Sequence, residues 1–488
     1  MKKVVVIGAG FSGLSAAASL AAKGFKVDVL EKHSIAGGRA RKFEAEGFTF
    51  DMGPSWYWMP DVFEKWFAAF DKKPSDYYDL IRLDPSYRVF WNKDESTDLP
   101  ANYELLKSKF EEMETGAGEK LDRFLKEAEY KYNISMSDLI YKPSKSMFEF
   151  AEWKILKNAL RIQLFKSFKK HTASYFKSAH INQLMEFPIL FLGGTAENTP
   201  ALYSLMNYAD MKLGTWYPMG GMYRVVEGMR QLAESLGVHF HFNHNVEKIL
   251  TDRNKTTGVR TDHGDFMADY VISSADYHHT ESKLLSNGHQ NYSSEYWDRR
   301  VMAPSSLIFF LGIDKKLDSL EHHNLFFDQD FKKHAEEIYR KPVWPSQPSI
   351  YISAPSKTDD SLAPEGMENL MVLIPVAPGL EDTEAIREKY LKLFMLRLEK
   401  LTGESILDHI VYQRSYAITD FVTDYNAFKG NAYGLANTLR QTAFLKPKLI
   451  NKKLPNLLYA GQLSVPGPGV PPALISGQLV ASEIINSA

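Results

Sequence analysis

The chain has 488 residues, 44% of them apolar and 24% charged. That exceeds one ordinary hydrophobic core, so about two or three domains are expected, and a disordered tail or fibrous repeat is excluded. Lys and Arg number 58 against 60 Asp and Glu, a net charge of −2, which leaves no global field to hold nucleic acid. The absence of cysteine excludes disulfides, thiolate nucleophiles, iron–sulfur clusters and Cys-ligated zinc, and is consistent with a reducing cytoplasm.

Lys2 and Lys3 precede an uncharged run over residues 4–22, closed by Lys23. The run mimics a signal peptide or short membrane span, but its glycines and serines make a poor span. The glycines fall at Gly8, Gly10 and Gly13, directly after the β-type run 4–7. Residues 11–22 then predict a helix stopped by Gly24, and residues 25–31 a second strand, with nothing cleaved. Gly8-x-Gly10-x-x-Gly13 permits a tight turn, close approach of a pyrophosphate and close packing of helix on strand. The helix N-terminus offers free N–H groups and the positive end of its dipole to phosphate. Glu31 ends the second strand, where a carboxylate accepts hydrogen bonds from ribose hydroxyls. The glycines alone fit a tight turn without a ligand; strand, helix and acid in register point to a dinucleotide.

Gly37-Gly38-Arg39 and Phe48-x-Phe50-Asp51-x-Gly53-Pro54-Ser55 follow. A simple NAD domain has no need of a second glycine pair and a cation so soon. An extended FAD does. From here the sequence resembles the glutathione-reductase-like flavoproteins of the amine oxidase and phytoene desaturase group. That resemblance implies an α/β architecture with a Rossmann-type FAD domain, a mixed-sheet substrate domain and a helical, membrane-facing insert. It also implies Gly38 and Arg39 near the FAD phosphates, Ser12 as a phosphate donor, and Gly53, Pro54 and Ser55 near the flavin ring.

Trp216-Tyr-Pro-Met-Gly220-Gly221-Met222 precedes a predicted helix over 223–236 and strands over 238–242 and 246–250. In the family pattern the residue matching Val246 touches the adenine through its backbone. Residues 270–276 resemble the strand and turn that return the chain to the cofactor. His239 and His241 share a strand face near His244, but no carboxylate is spaced to join them, and no metal site is assigned.

Tyr459-Ala-Gly461-Gln462-Leu-Ser-Val-Pro466-Gly467-Pro468-Gly469-Val470-Pro471-Pro472-Ala473 is similar to the signature that closes bacterial carotenoid desaturases. It reads as a strand, a rigid loop and a final helix with Pro471 or Pro472 in its first turn. The resemblance implies Gly461, Gln462, Val470 and Pro471 at the cofactor. The helix N-terminus is then aimed at the flavin N1 and C2 carbonyl, where charge develops on reduction. Family members often carry an acid or a small residue where this chain has Gln462. The resemblance spans essentially the whole chain. It includes Leu190-Phe-Leu-Gly193-Gly194 and Tyr425-Asn-Ala-Phe-Lys-Gly430-Asn-Ala-Tyr-Gly434-Leu435, to which only a tunnel-shaping part is assigned.

The FAD domain is expected to be discontinuous, from 1–95, 215–290 and 445–488. The substrate domain, 291–444, carries predicted strands over 301–313, 370–376 and 409–416 and an amphipathic helix over 383–401 ended by Gly403. The insert is 96–214. Within it, residues 151–180 hold seven Lys or Arg against Glu152 alone, with Trp153, Leu156, Leu160, Leu164 and Phe168 at helical spacing. Alone, that pattern fits an ordinary surface helix. Beside a C40 hydrocarbon, which dissolves only in a bilayer, it predicts peripheral docking on the inner, cytoplasmic face of the cell membrane.

The resemblance implies FAD-dependent carotenoid desaturation, with a hydride leaving an allylic carbon and a proton its neighbour. Over its length the chain looks most like flavobacterial hydroxycarotenoid 3,4-desaturases, acting near a 1′-hydroxylated acyclic or monocyclic, γ-carotene-type end. Phytoene desaturation is the alternative. A carotenoid cis–trans isomerase and a non-redox binder of prenylated partners are weaker readings, and an amine oxidase is disfavoured. No catalytic base is identified. Trp56, Tyr57 and Trp58 read equally as tunnel lining or core. With no second nucleotide site evident, oxygen or a quinone is the expected electron acceptor.

Overall fold

The computed structural model describes residues 1–145, 149, 163, 166–191, 194–438 and 441–487. Its first sheet is wholly parallel. Five strands run in the order Leu457–Tyr459, Tyr270–Ser273, Lys3–Ile7, Lys26–Glu31 and His239–Phe242. The central strand reads as an unbroken apolar run because both of its faces are covered. Val4 and Val6 pack with the helices Phe11–Ala21, Tyr223–Ser235 and Val470–Ser487. Val5 and Ile7 pack instead with Ile249 and Val259 of a small antiparallel sheet, Val246–Asp252, Lys255–Thr261 and Gly264–Met267.

The first and last helices touch closely. A Cβ on Gly477 would stand 2.3 Å from the Ser12 backbone oxygen and 2.7 Å from the Ser15 Cβ. Ser15 Oγ donates to the Leu474 carbonyl at 2.8 Å and accepts from Trp66 Nε1 at 2.9 Å, which fixes the register of the pair.

The second sheet has seven strands, in the order Ile410–Tyr416, Ser305–Ile313, Glu368–Val376, Ile350–Ser353, His323–Phe326, Tyr87–Asn92 and Glu95–Leu99. All neighbours are antiparallel except His323–Phe326 with Tyr87–Asn92. The hairpin from Tyr87 to Leu99 straddles residue 95, where a domain boundary was expected, and hydrogen bonding assigns it to this sheet. Helix Glu384–Thr402 covers one face, burying Tyr390, Phe394, Leu398 and Leu401 against Phe309, Leu311 and Val372. Thr383 caps its start through the Ile386 N–H, and Gly403 ends it at φ 74°.

The insert is helical, with Tyr103–Met113, Ala117–Ile134 and Ala179–Phe191 its main elements. A single basic helix over 151–180 is not what its described part forms. Phe168–Thr172 is one short helix capped by Ser167, residues 173–178 form turn and loop, and a new helix starts at Ala179. Phe168, expected on a lipid-facing stripe, is fully buried with Ile189 and Ala196. Trp153, Leu156, Leu160, Leu164 and Gly193 lie outside the described residues. Among the described residues, no helix is long and apolar enough to cross a membrane.

Gly477→Ala is expected to destabilise the chain by about 1–3 kcal/mol, the usual cost of overpacking. The urea midpoint should fall at unchanged slope; an unchanged midpoint would show that the two helices are not locked at Ser12.

Candidate active site

A cavity runs along the carboxyl ends of Lys3–Ile7, Lys26–Glu31, Tyr270–Ser273 and Leu457–Tyr459, where parallel α/β sheets hold ligands. The three glycines of its first turn do different work. Gly8 lines the cavity at φ +93°, and its N–H donates to the Leu30 carbonyl at 2.8 Å. Gly13 does not line it; a Cβ there would sit 2.0 Å from the Gly8 oxygen, so its part is close packing. Gly10 lines the cavity, yet a Cβ there would meet no protein atom within 4 Å. No protein contact therefore requires a glycine there. Leu14 makes the first helical bond, to the Gly10 carbonyl at 2.9 Å, leaving the preceding N–H groups for an anion. The second glycine pair presses on this turn: Gly37 N–H donates to the Ala9 carbonyl at 2.8 Å, and the Cβ position of Gly38 is 3.4 Å from Gly10 Cα.

Glu31 is buried and accepts from the Ala9 N–H at 2.8 Å and the His33 N–H at 3.0 Å. A carboxylate has about four lone-pair sites, so capacity remains for ribose hydroxyls. Ser12 lines the cavity with its Oγ 2.7 Å from Ser274 Oγ. Val246 lines it too.

Like Lys32, Arg39 lines the cavity. Its Nη2 donates to the Asn431 carbonyl at 3.3 Å, its guanidinium lies 5.1 Å from the Tyr425 ring centroid, and its buried Nε meets no acceptor. Burial draws its pKa below the ordinary value, with Asp276 opposing that shift. One atom of the Gln462 side-chain amide stands 3.0 Å from both Arg39 Nη2 and Asn431 Oδ1; with its oxygen there it accepts from the guanidinium, and with its nitrogen there it donates to Asn431. Tyr425 and Asn431 come from the segment assigned only to a tunnel; their part is to hold Arg39.

Gly53 and Pro54 line the cavity, whereas Ser55 does not. Ser55 Oγ is 2.8 Å from Tyr351 Oη, which is 2.7 Å from His323 Nδ1, so Ser55 belongs to a buried polar chain in the second sheet. Asp51 accepts from the Met222 and Tyr223 N–H groups at 2.6 and 3.0 Å, and burial pushes its pKa up to about 7. Trp56 stacks on His323 at 4.0 Å, Tyr57 on Phe63 at 4.4 Å, and Trp58 donates to Thr215 Oγ1 at 2.8 Å. These three are packing residues.

Gly461, Gln462 and Val470 line the cavity; Pro471 does not. Gly461 N–H donates to Ser476 Oγ at 3.0 Å. In helix Val470–Ser487, Ala473 makes the first bond, to the Gly469 carbonyl at 3.0 Å. Pro471 and Pro472 carry no N–H, so the free donor of this first turn is that of Val470. The lining carboxylates are engaged: Glu31 as above, Asp276 with the His279 and Phe428 N–H groups at 3.1 Å, and Asp424 with Arg41 at 2.6 Å. His241 pairs with Asp28 at 2.8 Å, and His244 lines the cavity. Two helix N-termini, an open glycine turn and a half-satisfied buried cation fit the phosphates and ring of FAD.

Residues 11–485 match the family described as flavin containing amine oxidoreductase. A carotenoid 3,4-desaturase of Haloarcula japonica is 42% identical over 485 residues, covering 99% of this chain and 98% of that protein. A zeta-carotene-forming phytoene desaturase of Myxococcus xanthus is 32% identical over 492 residues, with 100% and 94% covered. An oxidoreductase from Methanosarcina mazei superposes with a TM-score of 0.67 at 18% identity, covering 98% of this chain and all of that one. Wild-type putrescine oxidase bound to putrescine gives 0.62 at 15% identity, with 99% of each chain covered. At those identities the solved structures speak for the fold. The chain belongs to the flavin containing amine oxidoreductases and, within them, to the carotenoid desaturases. It is an oxidoreductase, and FAD is its cofactor.

Gly10→Ala should leave the flavin-free chain within about 0.5 kcal/mol of wild type, as a surface change does. It should weaken FAD at least about tenfold, a loss of roughly 1.4 kcal/mol, in a flavin fluorescence titration. Unchanged FAD affinity would move the pyrophosphate away from this turn.

Proposed function

We propose that the protein desaturates a carotenoid, and that its reaction is 3,4-desaturation near a 1′-hydroxylated acyclic or γ-carotene-type end. The full-length likeness to the Haloarcula 3,4-desaturase carries this reading. The Myxococcus relative favours a second one, phytoene desaturation. FAD, when bound, supplies the hydride acceptor.

The chain's own residues do the rest. Gly8, Gly10, Gly13 and Ser12 shape the phosphate site, Gly38 and Arg39 complete it, Glu31 takes the ribose and the Val246 backbone the adenine. Gly53, Pro54, Gly461, Gln462 and Val470 border the ring, with Ser55 and Pro471 supporting them from behind. Ile308, Leu373 and Phe421 close the cavity on the side of the second sheet. An apolar wall there excludes water and holds the substrate C–H at the ring. The polyene delocalises the developing positive charge, so proton loss needs only a weak acceptor.

On this reading the parallel sheet with residues 215–290 and 445–488 binds FAD. Residues 291–444 with the Tyr87–Leu99 hairpin face the carotenoid. Residues 151–165 dock the enzyme on the inner face of the cytoplasmic membrane, and oxygen or a quinone accepts the electrons.

Purified protein with FAD and liposomes, given phytoene, lycopene and hydroxylated acyclic or γ-carotene derivatives separately, tests the reaction. Loss of two hydrogens with a red shift, from hydroxylated substrates only, is the expected result. Conversion of phytoene would establish the second reading, and no mass change with FAD bound would overturn both. Docking is tested apart from chemistry. Replacing Lys154, Lys157 and Arg161 by Gln should weaken binding to anionic liposomes about 100-fold, at about 1 kcal/mol per cation, with activity in detergent unchanged.

A further inference from the structure

Two buried polar side chains near the cavity have nothing to bond. Lys446 is 2% exposed and Asn437 is 6% exposed. Neither the Lys446 Nζ nor the Asn437 Oδ1 meets a hydrogen-bond partner. Both atoms lie against Gly467: a Cβ built there would stand 3.1 Å from Nζ and 3.4 Å from Oδ1. No charged neighbour acts on the amine, and burial alone lowers its pKa to about 7. Leaving such groups dry is costly. Lys131, the other deeply buried lysine among the described residues, shows the usual remedy, with Glu127 at 2.7 Å and the Ala201 carbonyl at 3.1 Å.

The location gives the pair a use. Gly469 and Val470 line the cavity just beyond Gly467, and Tyr433 lines it four residues before Asn437. Two residues of chain span at most about 7 Å, so Gly467, which does not itself line the cavity, stands within that distance of its wall at the start of the last helix.

One orphan is a donor and the other an acceptor. A single group that both accepts and donates completes the pair, which a hydroxyl or a water does and a carbonyl or a hydrocarbon does not. We propose that Lys446 and Asn437, both against Gly467, form a recognition site for a substrate hydroxyl. The hydroxyl oxygen accepts from Lys446 Nζ and its O–H donates to Asn437 Oδ1. This rests on the proposed carotenoid reaction and assigns these two residues to selecting an oxygenated end over a hydrocarbon one. Both are positioning residues. They hold the end of the chain so that the neighbouring C–H meets the ring.

Lys446→Met and Asn437→Leu keep volume and remove one partner each. With FAD-loaded enzyme, kcat/KM should be compared for a 1′-hydroxylated acyclic carotenoid and its matched hydrocarbon. A site built to bond a hydroxyl discriminates by up to about 10⁴-fold, so each variant should lose at least about 50-fold on the hydroxylated substrate and change less than about threefold on the hydrocarbon. Equal losses on both substrates, or none on either, would overturn the site, as for a pair that only holds a structural water. Lys446→Met should melt no lower than wild type and retain FAD, since a lone buried amine is replaced by an apolar chain. A lower melting temperature with loss of FAD in both variants would make the pair structural and overturn the proposal. Wild type that converts neither carotenoid defeats the desaturase reading itself; wild type that converts both equally defeats only the hydroxyl site.

Discussion

The contact between the first and last helices is the constraint on which the site depends. Gly477 lies so close to Ser12 that no side chain fits between them. Through that contact the turn at Gly8–Gly13 and the loop ending at Val470, more than 450 residues apart in the chain, present two helix N-termini to one cavity. Each terminus favours negative charge by a fraction of a kcal/mol to about 1 kcal/mol. Held together, they suit a cofactor that is anionic at its phosphates and becomes anionic at its ring. The prolines at 471 and 472 sharpen this by leaving one free N–H, that of Val470, in the first turn of the last helix.

Charge is handled differently near the cavity and away from it. Away from the cavity, Arg387 has Asp382 at 2.6 Å and Asp420 at 2.7 Å. Arg39 has no carboxylate within bonding distance among the described residues; its contacts are a carbonyl, an aromatic face and an amide. Neutral partners orient a guanidinium without cancelling it, which keeps its charge for a phosphate.

Local patterns made the first half of this architecture readable. Val4 to Ile7, the glycine spacing and Glu31 lie within one βαβ unit, so periodicity and turn chemistry sufficed. The same holds for helix Glu384–Thr402, whose cap and stop are in its own sequence. What escaped reading depends on distant pairing. The Tyr87–Leu99 hairpin joins the second sheet through a parallel partner more than 220 residues away, at His323–Phe326. Ser55 sits inside a flavin-type motif but is claimed by Tyr351. Phe168 shares a helical period with lipid-facing candidates, yet the chain turns after Thr172 and buries it.

Such claims follow one rule. A polar or aromatic group is taken up by the nearest partner that tertiary packing supplies, and only groups left without one remain for a ligand. Asp51 looked like part of a cofactor motif, and two backbone N–H groups satisfy it. Arg39 Nε is left over in the wall of the cavity. Folding alone gains nothing from that unbonded N–H, so a ligand that bonds it adds to stability on binding. Flavin binding and stability should therefore be coupled through Arg39 far more strongly than through Glu31, whose carboxylate is already tied to the turn it serves.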